Sequence, residues 1–116
     1  MSYVDGYILP IPRKNLPAYR RMATIGRKAW MKHGALEYRE CAGDDLASKW
    51  GTPFGRAFKL KPGETVVFAF VVFKSRAHRD RVNAKVMKEM DAMAMSKEMP
   101  FNVTRMVYGG FKTIVE

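Results

Sequence analysis

The amino-acid sequence predicts an α+β domain of order βαββαβ, an antiparallel sheet with two helices on one face. Short runs rich in Val, Ile, Tyr and Phe, bounded by Pro and Gly, alternate with two longer stretches whose apolar residues recur at spacings of three and four. One run, Thr65 to Phe73, is apolar on both alternations and must be covered on both faces. A length of 116 residues allows one packed core and not two, so the chain reads as a single domain, 1–116.

Tyr3 to Ile11 reads as the first strand, since Val4, Tyr7, Ile8 and Leu9 are strand formers and Pro10 and Pro12 end the run. A helix follows, with Asn15 as its cap and Pro17 early enough to lose no intrahelical hydrogen bond. Leu16, Tyr19, Ala23, Gly26, Trp30 and His33 share one face of it, and Gly34 ends it. Leu36 to Gly43 alternates Leu36, Tyr38, Glu40 and Ala42 against Glu37, Arg39, Cys41 and Gly43, a second strand whose two faces differ little in polarity. Asp44 to Pro53 is a loop. Phe54 to Leu60 reads as a short strand, paired with the next through a type II turn at Lys61-Pro62-Gly63-Glu64, where Pro sets the first central φ and Gly accepts a positive one.

Thr65 to Phe73 places Val66, Phe68, Phe70 and Val72 on one side and Val67, Ala69, Val71 and Phe73 on the other. Helices can cover one of these sides, and a second subunit's sheet is the simplest cover for the other, so a homodimer is expected. Ser75 can cap the second helix, along which Val82, Val86 and Met90 form a buried stripe. That helix should fray into the Met-rich segment ending at Pro100. Val103 to Val115 is the last strand, where Gly109-Gly110 marks a bulge, a bend or a close approach rather than ordinary pairing.

Composition narrows the class. Hydrophobic residues at 47% and charged residues at 28% are those of a globular chain rather than a disordered one. The longest apolar run, Val66 to Phe73, is less than half of a membrane span, and no basic region followed by an apolar segment opens the chain. One cysteine, Cys41, excludes an intrachain disulfide framework, so the expected address is cytoplasmic, with no membrane partner. The net charge of +10 could attract nucleic acid, acidic lipid or anionic metabolites. Its carriers fall mostly on the two helices, where a solvated face explains them more simply.

Three segments together resemble the YbaA-like family of domains of unknown function: Tyr3-Val4-Asp5-Gly6-Tyr7, Lys74-Ser75-Arg76-Ala77-His78-Arg79-Asp80, and Met99-Pro100-Phe101 with Arg105-Met106-Val107-Tyr108-Gly109-Gly110-Phe111. Gly34-Ala35-Leu36-Glu37 and Lys61 to Phe68 fall between them in the same order. The resemblance spans the whole chain. It implies a ferredoxin-like fold of the dimeric α/β-barrel superfamily, whose sheet packs on a second subunit's sheet. It implies no activity and no catalytic set.

The candidate ligand-site residues are Asp5, Tyr7, Glu37, Arg39, Arg105 and Tyr108, because ionisable groups on interior strands must be paired, hydrated or useful. Arg39 or Arg105 could hold a carboxylate or phosphate, Tyr7 or Tyr108 could supply a hydroxyl, and Asp5 or Glu37 could accept a proton. The plain alternative is an ion-pair network at a dimer interface or strand edge. Trp30 and Tyr19 could line a pocket for a planar molecule, although a stripe at this spacing is ordinarily core. His33 and His78 have no partner at a ligand spacing, so no metal and no cofactor is expected. Cys41 reads as a buried thiol. Tyr108-Gly109-Gly110-Phe111-Lys112 has the Gly and aromatic content of an RNA-binding sheet without its full pattern.

These observations describe a noncatalytic, homodimeric small-ligand-binding or regulatory module that takes a small anionic or planar ligand. Two other classes stay open: a cofactor-independent oxygenase or isomerase acting on a small organic anion, and a salt-dependent nucleic-acid binder. Whether the chain is an enzyme is not legible in the sequence.

Overall fold

A computed structural model describes residues 1–92 and 99–116 of the chain. Strand β1 (Tyr3–Pro12) leads through a 3-10 turn at Arg13–Asn15 into helix α1 (Leu16–Lys32). Strand β2 (Glu37–Ala42), a single helical turn α2 (Phe54–Ala57), strand β3 (Glu64–Phe73), helix α3 (Arg76–Ala92) and strand β4 (Val107–Lys112) follow. The strands form one antiparallel sheet in the order β2-β3-β1-β4.

Strand periodicity sorts the sheet into two faces. Register places Tyr3, Asp5, Tyr7, Leu9 and Ile11 of β1 opposite Phe73, Val71, Ala69, Val67 and Thr65 of β3, with Tyr38 and Glu40 of β2 beyond them and Tyr108 of β4 on the other flank. This is the face the helices cover. Ala29 of α1 and Val82 and Val86 of α3 pack on Val71 and Phe73, while Tyr19 of α1 joins Leu9, Ile11, Val67 and Phe101. Both stripes expected from helical spacing supply this core.

The opposite face carries Val4, Ile8, Phe70 and Val72, with Phe68 45% exposed, Val107 55% and Phe111 61%. Pro10 and Val66 are buried at one end of it. The two-sided apolar character of β3 is therefore real, and among the described residues only the helix-facing side is fully covered.

Several local expectations change. Phe54 to Leu60 is not a strand: Ala57 N–H and Phe58 N–H donate to the Pro53 and Phe54 carbonyls in a helical turn. Both edges of β3 are taken, by β1 and β2, so a further strand has no ladder to join there. The turn before β3 nevertheless forms, with Gly63 at φ +81° and Glu64 N–H donating to the Lys61 carbonyl at 3.0 Å. Asn15 does not cap α1. It lies in the preceding 3-10 turn, and its side-chain amide donates to the Pro100 carbonyl at 2.8 Å, tying the start of α1 to the segment before β4.

Ser75 does cap α3, accepting from His78 N–H at 3.1 Å. The last strand is shorter than Val103 to Val115, because Val103–Arg105 forms a 3-10 turn capped by Asn102. Gly109 and Gly110 pair in register with Gly6 and Asp5, and the close approach is the reason for glycine: a Cβ on Gly110 would lie 2.9 Å from a Tyr3 ring carbon. Cys41 is exposed, on the outer face of edge strand β2. Most of the Met-rich stretch, residues 93–98, lies outside the described residues. Among the described residues no helix is long and apolar enough to cross a membrane.

Candidate functional site

Gly26 lies buried on α1, where an added Cβ would sit 3.3 Å from the Tyr38 hydroxyl and 3.5 Å from the Trp30 ring. The absent side chain leaves room between the helix and the sheet. A cleft of about 780 Å³ opens there, walled by Tyr7, Tyr19, Trp30, Tyr38 and Phe101, with Glu40 among its lining. That is the size and apolar, aromatic character of a small-molecule site. Trp30 and Tyr38 meet at 5.7 Å between ring centroids, tilted by 38°, and Tyr19 meets Phe101 edge-on at 5.7 Å.

Glu40 alternates with Tyr38 along β2, so both face the helices. Its carboxylate accepts from two hydroxyls, Tyr38 at Oε2 (2.5 Å) and Tyr19 at Oε1. Burial, followed by the nearby Glu40 charge, pushes both tyrosines well above the usual phenol range. Burial and then Asp5 do the same to Tyr7. All three are therefore protonated donors, not bases.

Behind the aromatic wall runs a polar chain. The Trp30 indole N–H donates to Asn83 Oδ1 (2.9 Å), and the Asn83 amide donates to Asp5 Oδ2 (3.1 Å). Arg79 Nη1 donates to Asp5 Oδ1 (2.9 Å) and lies 3.3 Å from the Tyr108 hydroxyl, while its guanidinium stacks over Tyr3 at 4.9 Å. Asp5 is fully buried and Arg79 14% exposed. Burial raises the Asp5 carboxyl above its usual value despite Asn83 and Arg79, which pull it down. Burial likewise works against the Arg79 charge, but Asp5 and the neighbouring tyrosines outweigh it and hold the guanidinium above its usual value. Arg79 Nε is 2.8 Å from Asp80 Oδ1 without the alignment of a hydrogen bond, so that buried N–H has no acceptor among the described residues.

A second groove of about 790 Å³, sharing Tyr19, Tyr38 and Glu40 with the cleft, runs between α1 and β2 and is bordered by Arg20, Arg27 and Arg39. Among the described residues, no three His, Cys, Asp or Glu side chains are placed to hold a metal ion.

The family described as "Protein of unknown function (DUF1428)" matches residues 2–103. The chain belongs to the DUF1428 family. It is 35% identical over 116 residues to the uncharacterized protein YbaA of Escherichia coli K12, spanning 100% of this chain and 99% of that one. It matches the YbaA of Shigella flexneri to the same extent. The de novo designed protein Foldit4 overlays 97% of the chain at 9% identity with a TM-score of 0.49, too weak a likeness to bear on fold or function.

In this DUF1428 chain three of the residues singled out from sequence come together: Asp5, Tyr7 and Tyr108, the last two stacked at 4.7 Å between centroids. The other three lie elsewhere. Glu37 and Arg39 project from the outer face of β2 and pair with each other at 2.9 Å. Arg105 grips Glu64 through both guanidinium nitrogens, at 2.7 and 3.1 Å, and reaches the Phe58 carbonyl at 3.3 Å, fastening α2 to the start of β3. The two arginines offered for an anion are thus engaged away from the aromatic cleft. Sequence reasoning missed Arg79, counted there among solvated helix charges, and Asn83 and Glu40. The period-two alternation of Tyr38 with Glu40 was the one available signal for the last.

His33 Nε2 lies 3.3 Å from Glu89, and His78 Nδ1 accepts from Lys74 N–H at 3.0 Å. Both histidines have structural partners.

Proposed function

We propose that this chain is a noncatalytic small-ligand-binding or regulatory module, one ferredoxin-like domain that pairs sheet to sheet as a homodimer of the dimeric α/β-barrel kind. The observation that carries the reading is the aromatic cleft between α1 and the sheet, with its convergent polar floor at Glu40, Tyr19 and Tyr38. The dimer is supported by the outer face, where Phe68, Val107 and Phe111 form an apolar surface continuous with Val4, Ile8 and Phe70. A second copy fits such a face because a two-fold axis brings the same apolar patch to both sides. A reducing, cytoplasmic setting suits the exposed Cys41 thiol.

The oxygenase or isomerase class has less support. Tyr7, Tyr19 and Tyr38 are held protonated, and Arg79 is committed to Asp5. Salt-dependent nucleic-acid binding is favoured by one feature, the groove bordered by Arg20, Arg27 and Arg39. It requires an affinity that falls steeply with added salt, as phosphate counterions are displaced.

Native mass spectrometry of the gently purified protein tests the main reading in one spectrum. A dimer carrying additional small-molecule mass is the expected result. A strict monomer at every concentration would remove the sheet-to-sheet pairing, and no thermal shift with any member of a small-molecule panel would remove the ligand site.

A further inference from the structure

We infer that the aromatic cleft selects an organic cation, an amine whose ammonium group sits at Glu40 while its planar or aliphatic body lies among Tyr7, Tyr19, Trp30 and Tyr38. The inference rests on the reading of the cleft as a ligand site and specifies the charge of the occupant. Its basis is the hydrogen-bond inventory of the floor. Tyr19 and Tyr38 each direct their single hydroxyl proton to Glu40. What they leave toward a ligand is lone pairs: two on the phenolic oxygens and those remaining on a carboxylate with about four acceptor sites. At Glu40, Tyr19 and Tyr38 the floor therefore accepts and does not donate, and among the described residues a free hydroxyl donor stands only at Tyr7, on the cleft wall. The indole N–H of Trp30 is likewise engaged, with Asn83, so that ring offers the cleft only its π surface.

An ammonium group brings three N–H donors and a positive charge to that surface. Ring faces attract cations through their quadrupole, and the partly buried Glu40 carboxylate adds a charge-assisted hydrogen bond. A carboxylate or phosphate ligand would instead meet oxygen against oxygen. Among the described residues no Lys, Arg or His nitrogen lies within 4.0 Å of Glu40, so its charge has no protein counterion at contact. Arg20, Arg27 and Arg39 line a neighbouring groove that shares Tyr19, Tyr38 and Glu40 with the cleft, and none of them comes within ion-pair distance of the carboxylate.

Three probes with one indole ring separate charge from shape: tryptamine, the uncharged 3-ethylindole and indole-3-propionate. Isothermal titration of the full chain should show tryptamine binding about tenfold or more tighter than the other two, the difference made by one charge-assisted contact. Glu40→Gln should bring tryptamine to within about twofold of 3-ethylindole and leave 3-ethylindole unchanged, with folding checked by circular dichroism. If Glu40→Gln does not fold, the three-probe comparison on the unsubstituted chain decides. Equal or tighter binding of 3-ethylindole or indole-3-propionate overturns the cation assignment and leaves the cleft as a ligand site. Binding of none of the three overturns both.

Discussion

Replacing Asp5 by Ala strands Arg79. The carboxylate is fully buried and its partner 14% exposed, so the variant leaves a guanidinium facing an apolar gap, and a guanidinium cannot discharge itself by losing a proton. Breaking a buried pair in this way costs about 3–5 kcal/mol. Asp80 stays 2.8 Å from Arg79 Nε and the Tyr3 and Tyr108 hydroxyls stay 3.3 Å from its terminal nitrogens, which argues for the lower end, about 3 kcal/mol. For a domain of this size that is roughly a 12 °C fall in Tm, a large part of the usual total stability. Arg79→Met strands the carboxylate instead. Burial already holds Asp5 above its usual value of 3.8, so the folded state takes up a proton more readily than the unfolded one, and stability grows as pH falls through the folded value. The Arg79→Met deficit should therefore shrink in acid, while the Asp5→Ala deficit should not. Thermal melts of both variants and of the double variant, followed in a Trp50→Phe background so that Trp30 is the sole indole, measure this. The double variant should sit well above the sum of the two losses. If the losses simply add, Asp5 and Arg79 are not coupled and the polar chain behind Trp30 is misread.

Three further outcomes follow from other contacts. Phe68→Lys on the outer face should weaken dimerisation by at least about 30-fold in analytical ultracentrifugation, the effect of losing one interface anchor, whereas an unchanged association constant would place the interface elsewhere. Arg105→Gln should lower Tm most at neutral pH: Arg105, then Lys61 N–H, hold Glu64 below its usual 4.5, so this stability is present above 4.5 and lost as pH falls through the folded value. A difference from the unsubstituted chain that persists well below pH 4.5 would show that the pair does not carry the effect. Ser75→Ala removes the cap of α3 and should cost about 1 kcal/mol in urea denaturation, with an unchanged midpoint counting against the cap.

The polar chain gives the cleft its definition. Asp5 can only accept, which obliges the Asn83 amide nitrogen to face it and turns Asn83 Oδ1 toward the Trp30 indole. A carboxylate on β1 thus sets the orientation of a ring on α1 through a side chain on α3. Gly26 works on the same wall by omission, since a side chain there would press on Tyr38 and Trp30 together.

Local pattern in the sequence was enough for the elements whose determinants lie within a few residues. The stripe of Val82, Val86 and Met90, the Ser75 cap and the turn at Lys61-Pro62-Gly63-Glu64 all depend on spacing or on backbone preference, and the alternation in Thr65 to Phe73 already required cover on two faces. Asp5, Tyr7 and Tyr108 could be singled out because polar groups on inward-facing strands demand partners. Which partners could not be read. Arg39 and Arg105 looked as available as Arg79, and only the tertiary arrangement separates them: the register of β2 on β3 turns Arg39 to the outer face, the turn before β4 brings Arg105 to Glu64, and the docking of α3 sets Arg79 over Asp5. Phe54 to Leu60 resembles a strand by composition, and it forms none because both edges of β3 are occupied. Pairing across 74 residues, as between Asp5 and Arg79, leaves no local trace in the chain. Composition and periodicity determined the elements, the two-sided apolar sheet and the side-by-side placing of Tyr38 and Glu40 on β2, whereas the arrival of Tyr19 at that pair was decided by the crossing of α1 over β2, a contact between elements fixed by packing.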